Sequence, residues 1–88
     1  MSRADPHRAL LRALKSRHPE LEVTDARTED WASVTFTGSR HVFRCAAGPD
    51  LSDLAEADWS LPGQLVADLS VEREAGHLVV EVLLIADE

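Results

Sequence analysis

The run Leu78-Val79-Val80-Glu81-Val82-Leu83-Leu84-Ile85-Ala86 constrains this chain more than any other stretch. It is the longest apolar segment, rich in β-branched residues and interrupted by one charge. Its length suits a strand and falls far short of a membrane-spanning helix. A strand with apolar side chains on both faces belongs inside a sheet, not at its edge. The rest of the chain must therefore supply partner strands on both sides and a cover for at least one face.

The chain has 88 residues, which suits one domain spanning 1–88. Hydrophobic residues make up 44% and charged residues 28%, enough for a packed core and unlike the composition of disordered chains. The first residues lack the apolar centre of a secretory signal. Cys45 is the single cysteine, so no internal disulfide is expected and a reducing, cytoplasmic setting fits.

The net charge of −7 is unevenly spread. Residues 1–18 hold five basic side chains (Arg3, Arg8, Arg12, Lys15, Arg17) against Asp5, a balance of +4. Residues 19–88 hold four Arg against fifteen acids, a balance of −11. A basic helix lying on an acidic sheet explains this more simply than an arm for nucleic acid or anionic lipid, because the acidic remainder repels phosphate. Nucleic acid and membrane are thus not expected partners.

Asp5 is suited to cap a helix, and Pro6 fits its first position, where a missing N–H costs nothing. Leu10, Leu11 and Leu14 share one side of a 3.6-residue wheel, with His7 and His18 along it, and Arg8, Arg12 and Lys15 lie opposite. Pro19 disfavours helix at His18. The spacing predicts a helix over 6–17.

Leu21-Glu22-Val23-Thr24 alternates as a half-buried strand should. The polar run 25–30 then reads as strand end or turn. Residues 31–37 and 40–46 are expected to pair around a two-residue type II′ turn at Gly38-Ser39, with Gly38 at positive φ. That register sets Phe36 against His41, Val34 against Phe43 and Ala32 against Cys45, leaving Arg40, Val42 and Arg44 on the wetter face. Asp50 can cap a short helix over 51–57, with Trp59 as a lid on the core edge. Leu61-Pro62-Gly63-Gln64 has a type II turn composition. Residues 65–73 and 77–86 form a second hairpin around Ala75-Gly76, with a loop of two or four residues pairing Arg73 with Leu78, Val71 with Val80 and Leu69 with Val82.

The expected fold is α+β. Helix 6–17 packs on an antiparallel sheet of about five strands, in the order α-β-β-β-α-β-β.

Chemical motifs are sparse. The glycines stand singly at 38, 48, 63 and 76, so no phosphate-binding loop is present. No histidine or cysteine pair has metal-ligand spacing; His41 and Cys45 would lie ~13 Å apart along a strand. Cys45 falls on the apolar face, which suits an inert thiol. No catalytic, cofactor-binding or metal residues are expected. The acids Asp50, Asp53, Glu56 and Asp58 could mimic nucleic acid to inhibit a basic enzyme, but an exposed polar face explains them better.

The remaining signal is the second face of the C-terminal hairpin. Val66, Val79, Leu83 and Ile85 are expected there, with Val66 opposite Ile85 and Asp68 opposite Leu83. Either the short helix and Trp59 cover this face, or it is an interface for a protein partner or a second copy. The expected function is a small acidic interaction or regulatory module. A small-molecule-binding or enzymatic domain is the alternative, and a nucleic-acid mimic comes third.

Overall fold

The computed structural model describes residues 5–48, 50–59, 61 and 63–86. Helix α1 spans Pro6–Arg17, as the capping and wheel patterns require. The Asp5 carboxylate accepts from the His7 backbone N–H at 3.0 Å, and Pro6 opens the first turn. The His18 N–H closes the last turn on the Leu14 carbonyl, one residue before Pro19.

Four strands follow: β1 (Val23–Ala32), β2 (Thr37–Ala46), β3 (Gln64–Glu74) and β4 (His77–Ala86). They form one antiparallel sheet in the order β1-β2-β4-β3. The long apolar run is β4, an internal strand between β2 and β3. Its even residues Leu78, Val80, Val82 and Leu84 are buried, and with Phe43, Cys45, Leu10 and Leu14 they build the core under α1. Leu51 and Leu54, from a 3-10 helix at Ser52–Glu56 and its start, close the same layer. Trp59 packs on the edge of that core and donates Nε1–H to the Leu54 carbonyl at 3.2 Å. The short helix is therefore 3-10 over 52–56 rather than a helix over 51–57, and it covers the core face, not the opposite one. Among the described residues no helix is long and apolar enough to cross a membrane.

The sheet has four strands where about five were expected, and the difference lies in the first hairpin. Val23, Thr24 and Trp31 lie on one strand, and Leu21 and Glu22 precede it. The polar run 25–30 is the middle of β1, and the turn falls at 33–36. Ser33 makes this loop: its N–H donates to the Phe36 carbonyl at 2.7 Å, and its Oγ accepts the Phe36 N–H at 3.0 Å. Ala32 then pairs with Thr37, Trp31 with Gly38 and Glu29 with Arg40. The expected pairs Phe36–His41, Val34–Phe43 and Ala32–Cys45 do not form. The alternation within β2 still holds, with His41, Phe43 and Cys45 inward and Arg40, Val42 and Arg44 outward.

Gly38 lies inside β2 and is not at positive φ. Its role is steric. A Cβ there would collide with the Leu84 carbonyl and come within 2.6 Å of Trp31 Cζ2. The indole lies where any side chain at 38 would have to go.

The second hairpin keeps its expected pairs Arg73–Leu78, Val71–Val80 and Leu69–Val82. Its loop is the two-residue option: Glu74 pairs with His77, and Ala75 (φ 37°) and Gly76 (φ 83°) both occupy the left-handed region, as a type I′ turn demands. Gly63 has φ 73°, as a type II turn would ask, while Pro62 lies outside the described residues. An irregularity at Ala67 shifts the far end of β3, so Val66 faces Leu84 and Leu65 faces Ile85. Asp68 faces Leu83 as expected.

Two measurements check this packing. Leu14 is fully buried and Arg12 is exposed. In urea unfolding, Leu14→Ala should cost about 2–5 kcal/mol, and Arg12→Ala about 0.5 kcal/mol or less. Gly38→Ala should cost about 1–3 kcal/mol or more, because both the Leu84 carbonyl and the indole must give way, although no positive φ is involved. An unchanged stability would contradict the Trp31–Gly38 contact.

Candidate functional site

The face of the sheet away from α1 has no covering layer among the described residues. Its positions follow from the register. Across the strands in the order β1, β2, β4, β3, one row is Trp31, Gly38, Ile85 and Leu65. The next is Glu29, Arg40, Leu83 and Asp68. A third is Arg27, Val42, Glu81 and Ser70, and the last is Asp25, Arg44, Val79 and Glu72.

Charges alternate over the last three rows. Arg40 Nε lies 3.3 Å from Glu81, and Arg27 Nε lies 3.8 Å from Asp25. Such exposed pairs add little stability, but they keep this part of the face solvated. The first row is apolar. Leu83 in the second row adjoins Ile85 in the first, Val79 is set apart beyond Glu81, and Val66 turns to the core. The expected patch of Val66, Val79, Leu83 and Ile85 thus comes together only in Leu83 and Ile85. Leu65, brought round by the Ala67 irregularity, takes the place expected for Val66.

The apolar row continues past the sheet end. Among the described residues the large hydrophobic side chains left exposed are Val34, Phe36 (53%) and Leu65 (54%). Val34 and Phe36 belong to the β1–β2 loop and Leu65 to the start of β3, and the topology brings both to the same end of the sheet. An open groove of about 500 Å³ also lies at this end, lined by Pro6 of α1 and by Asp30, Trp31, Gly38, Ser39, Gln64 and Ala86 among others. Trp31 Nε1 is buried and has no acceptor among the described residues. An orphan donor of this kind costs about 1–3 kcal/mol.

Beside the groove, on the core face, lies a polar cluster that shares Ser39 with it. Ser39 and His41 are buried and stand two residues apart on β2, so they point the same way. Ser39 Oγ is 2.7 Å from His41 Nε2. His41 Nδ1 is 2.8 Å from His7 Nδ1 on α1 and 3.2 Å from Thr28 Oγ1 on β1. The His7 ring also stacks on Phe43, with centroids 5.0 Å apart. Burial, and then the neighbouring His7, hold His41 below the ordinary histidine range. A neutral imidazole against a hydroxyl is half of a nucleophilic pair. Ser39, however, is only 6% exposed, so a substrate carbonyl has little access to it. Cys45 is buried, and burial pushes its thiol up, which suits an inert side chain. No group of three or more metal-ligating side chains occurs among the described residues.

The acidic segment 50–58 does not stand free as a block. Asp53 accepts from His18 Nε2 at 2.8 Å and lies 3.6 Å from Arg17 Nε, and Asp50 caps the Ser52 N–H at 3.0 Å. Both carboxyls are held below their usual range, Asp53 chiefly by His18 and Asp50 by the Ser52 N–H.

Sequence reasoning placed Leu83 and Ile85 on this face but missed Val34, Phe36 and Leu65. Two signals for the missed residues were present: Gly38, which the expected turn absorbed, and Ser33 spaced to close its own loop. No protein-family model, curated protein or solved structure matches the chain.

The His18–Asp53 contact makes a pH prediction. Burial alone would lower His18, but the hydrogen bonds to Asp53 and then Glu20 outweigh it, and its value is raised above 6.5. Its contribution to stability is therefore complete below that value and is lost as pH rises through the raised one. In urea unfolding, the wild type should lose stability as pH rises through that raised value, and Asp53→Asn, which leaves Glu20 as the remaining partner, should lose less. Parallel curves for the two proteins would contradict the contact.

Proposed function

We propose that this chain is a protein-interaction module whose partner docks on the Trp31 end of the sheet. One observation carries the proposal: the exposed large hydrophobic side chains of the described residues stand at that end of the sheet, while the adjoining face is laced with alternating charge. An apolar centre with a charged surround is the usual anatomy of a docking surface. Withdrawing Phe36, Leu65 and their neighbours from water would supply the driving force, at about 25 cal/mol per Å² of apolar surface. The charged rows below would form the rim, where ions stay solvated and set specificity more than affinity. A second copy of the chain is one partner that fits. A buried lone thiol and an acidic charge suit a cytoplasmic setting.

A small-molecule or enzymatic reading stands second, favoured by the 2.7 Å contact between Ser39 and His41 beside the groove. It ranks lower because Ser39 is nearly sealed. The nucleic-acid mimic ranks lower again, because Asp53 and Asp50 are already engaged.

Photo-crosslinking separates these readings. A benzophenone amino acid placed at Phe36 in the native cell should yield discrete protein adducts, and one at Arg12 should not. Leu65→Asp, which leaves the core untouched, should abolish the adducts. Equal crosslinking from both positions, or adducts that survive Leu65→Asp, would overturn the proposal. Sedimentation of the purified chain shows whether the partner is a second copy.

A further inference from the structure

The polar cluster under α1 contains two imidazoles whose facing nitrogens leave room for a single hydrogen. His7 Nδ1 and His41 Nδ1 are 2.8 Å apart while the ring centroids are 5.0 Å apart, so the two nitrogens lie between the rings. Nitrogens this close form a hydrogen bond only when one carries a hydrogen and the other offers a lone pair.

The neutral pair meets that condition. So does the singly charged pair, in which one imidazolium donates through Nδ1 and its neutral neighbour accepts. The doubly charged pair cannot meet it: both Nδ1 atoms carry hydrogens, and two positive charges face each other with His41 buried in the core. The far side of His41 does not alter this count. The Ser39 hydroxyl on Nε2 rotates to donate or to accept.

We propose that His7 and His41 form a two-proton latch on α1. The pair keeps its contact on taking up one proton, and it releases the first turn of the helix from the sheet on taking up a second.

The surroundings fit this sequence of events. The charged groups acting on His41 besides His7 are Asp5 at the helix cap and Asp30 on β1, and both favour a cation. Thr28 on β1 and Ser39 on β2 offer neutral hydroxyls. Phe43 on β2, and Val80 and Val82 on β4, offer no charge. Two carboxylates can support one cation there, and nothing in the cluster separates a second. The buried His41 resists a second proton, in agreement with its lowered value. Pro6, next to His7, walls the groove at the Trp31 end, so release of the first turn would reshape that groove. The latch stands whether or not the groove takes a protein partner.

The test is a titration of the full chain with ¹⁵N-labelled histidine rings, from about pH 8 to 4.5. Amide exchange is followed in parallel at Ala9, Leu10 and Leu11, each normalised to Leu14 and Lys15 in the same helix. The expected result is two coupled steps shared by His7 and His41. Normalised exchange of the first turn should stay level through the first step and rise at least about tenfold through the second. His7→Gln keeps a hydrogen-bonding group but takes no proton, and His7→Phe keeps the stack on Phe43; in each, the acid-linked rise should disappear. Independent single-site curves with level exchange would overturn the latch. So would a rise that persists in either variant.

Discussion

The pairing of β2 with β4 is the constraint on which the rest of the structure depends. It sets His41 against Val82, Phe43 against Val80 and Cys45 against Leu78. Six inward side chains thereby become one surface under Leu10 and Leu14 of α1. β1 and β3 are then added outside it, each as the second arm of a hairpin. A one-residue slip between β2 and β4 would send Arg40 and Arg44 inward and bring Phe43 out to water. The two hairpins are therefore locked to each other by burial, more than by either turn.

The same pairing explains why polar groups are tolerated under the helix. Ser39 and His41 sit on the inward face because β2 alternates, and they escape the cost of burial by bonding to one another, to Thr28 and to His7. The first turn of α1 is thus held by a hydrogen bond and ring stacking, and its later turns by Leu10 and Leu14. Those two attachments respond differently to acid, and that difference underlies the latch.

Much of this architecture was legible in the residues. Asp5, Pro6 and Pro19 bound α1 by local chemistry, and the apolar run at 78–86 announced an internal strand. The second hairpin followed because Glu81 fits only one face. The first hairpin was not legible, because Gly38-Ser39 has the composition of a turn and 25–30 the polarity of a loop. The chain instead closes at Ser33–Phe36 through a side-chain hydroxyl, and it uses Gly38 to let the Trp31 indole approach the strand. Edge strand β1 can be polar on both faces because it has one neighbour and little cover. The apolar end of the sheet was hidden by the same error, since the mistaken register buries Val34 and Phe36. The Ala67 irregularity, which exchanges Leu65 for Val66, had no signal in the alternation pattern. The polar cluster was out of reach because the side chains bonded to His41 from outside β2 lie 13 and 34 residues from it.

The Trp31 end exists only if β1 and β2 pair as described, so the interstrand contacts of that hairpin are the most direct measurement. In a NOESY spectrum of the full chain, the account predicts contacts from the Trp31 indole protons to Gly38 Hα, together with backbone contacts between Glu29 and Arg40. Contacts between Thr37 and Arg40 across a tight turn at Gly38-Ser39, with Trp31 distant from Gly38, would contradict it.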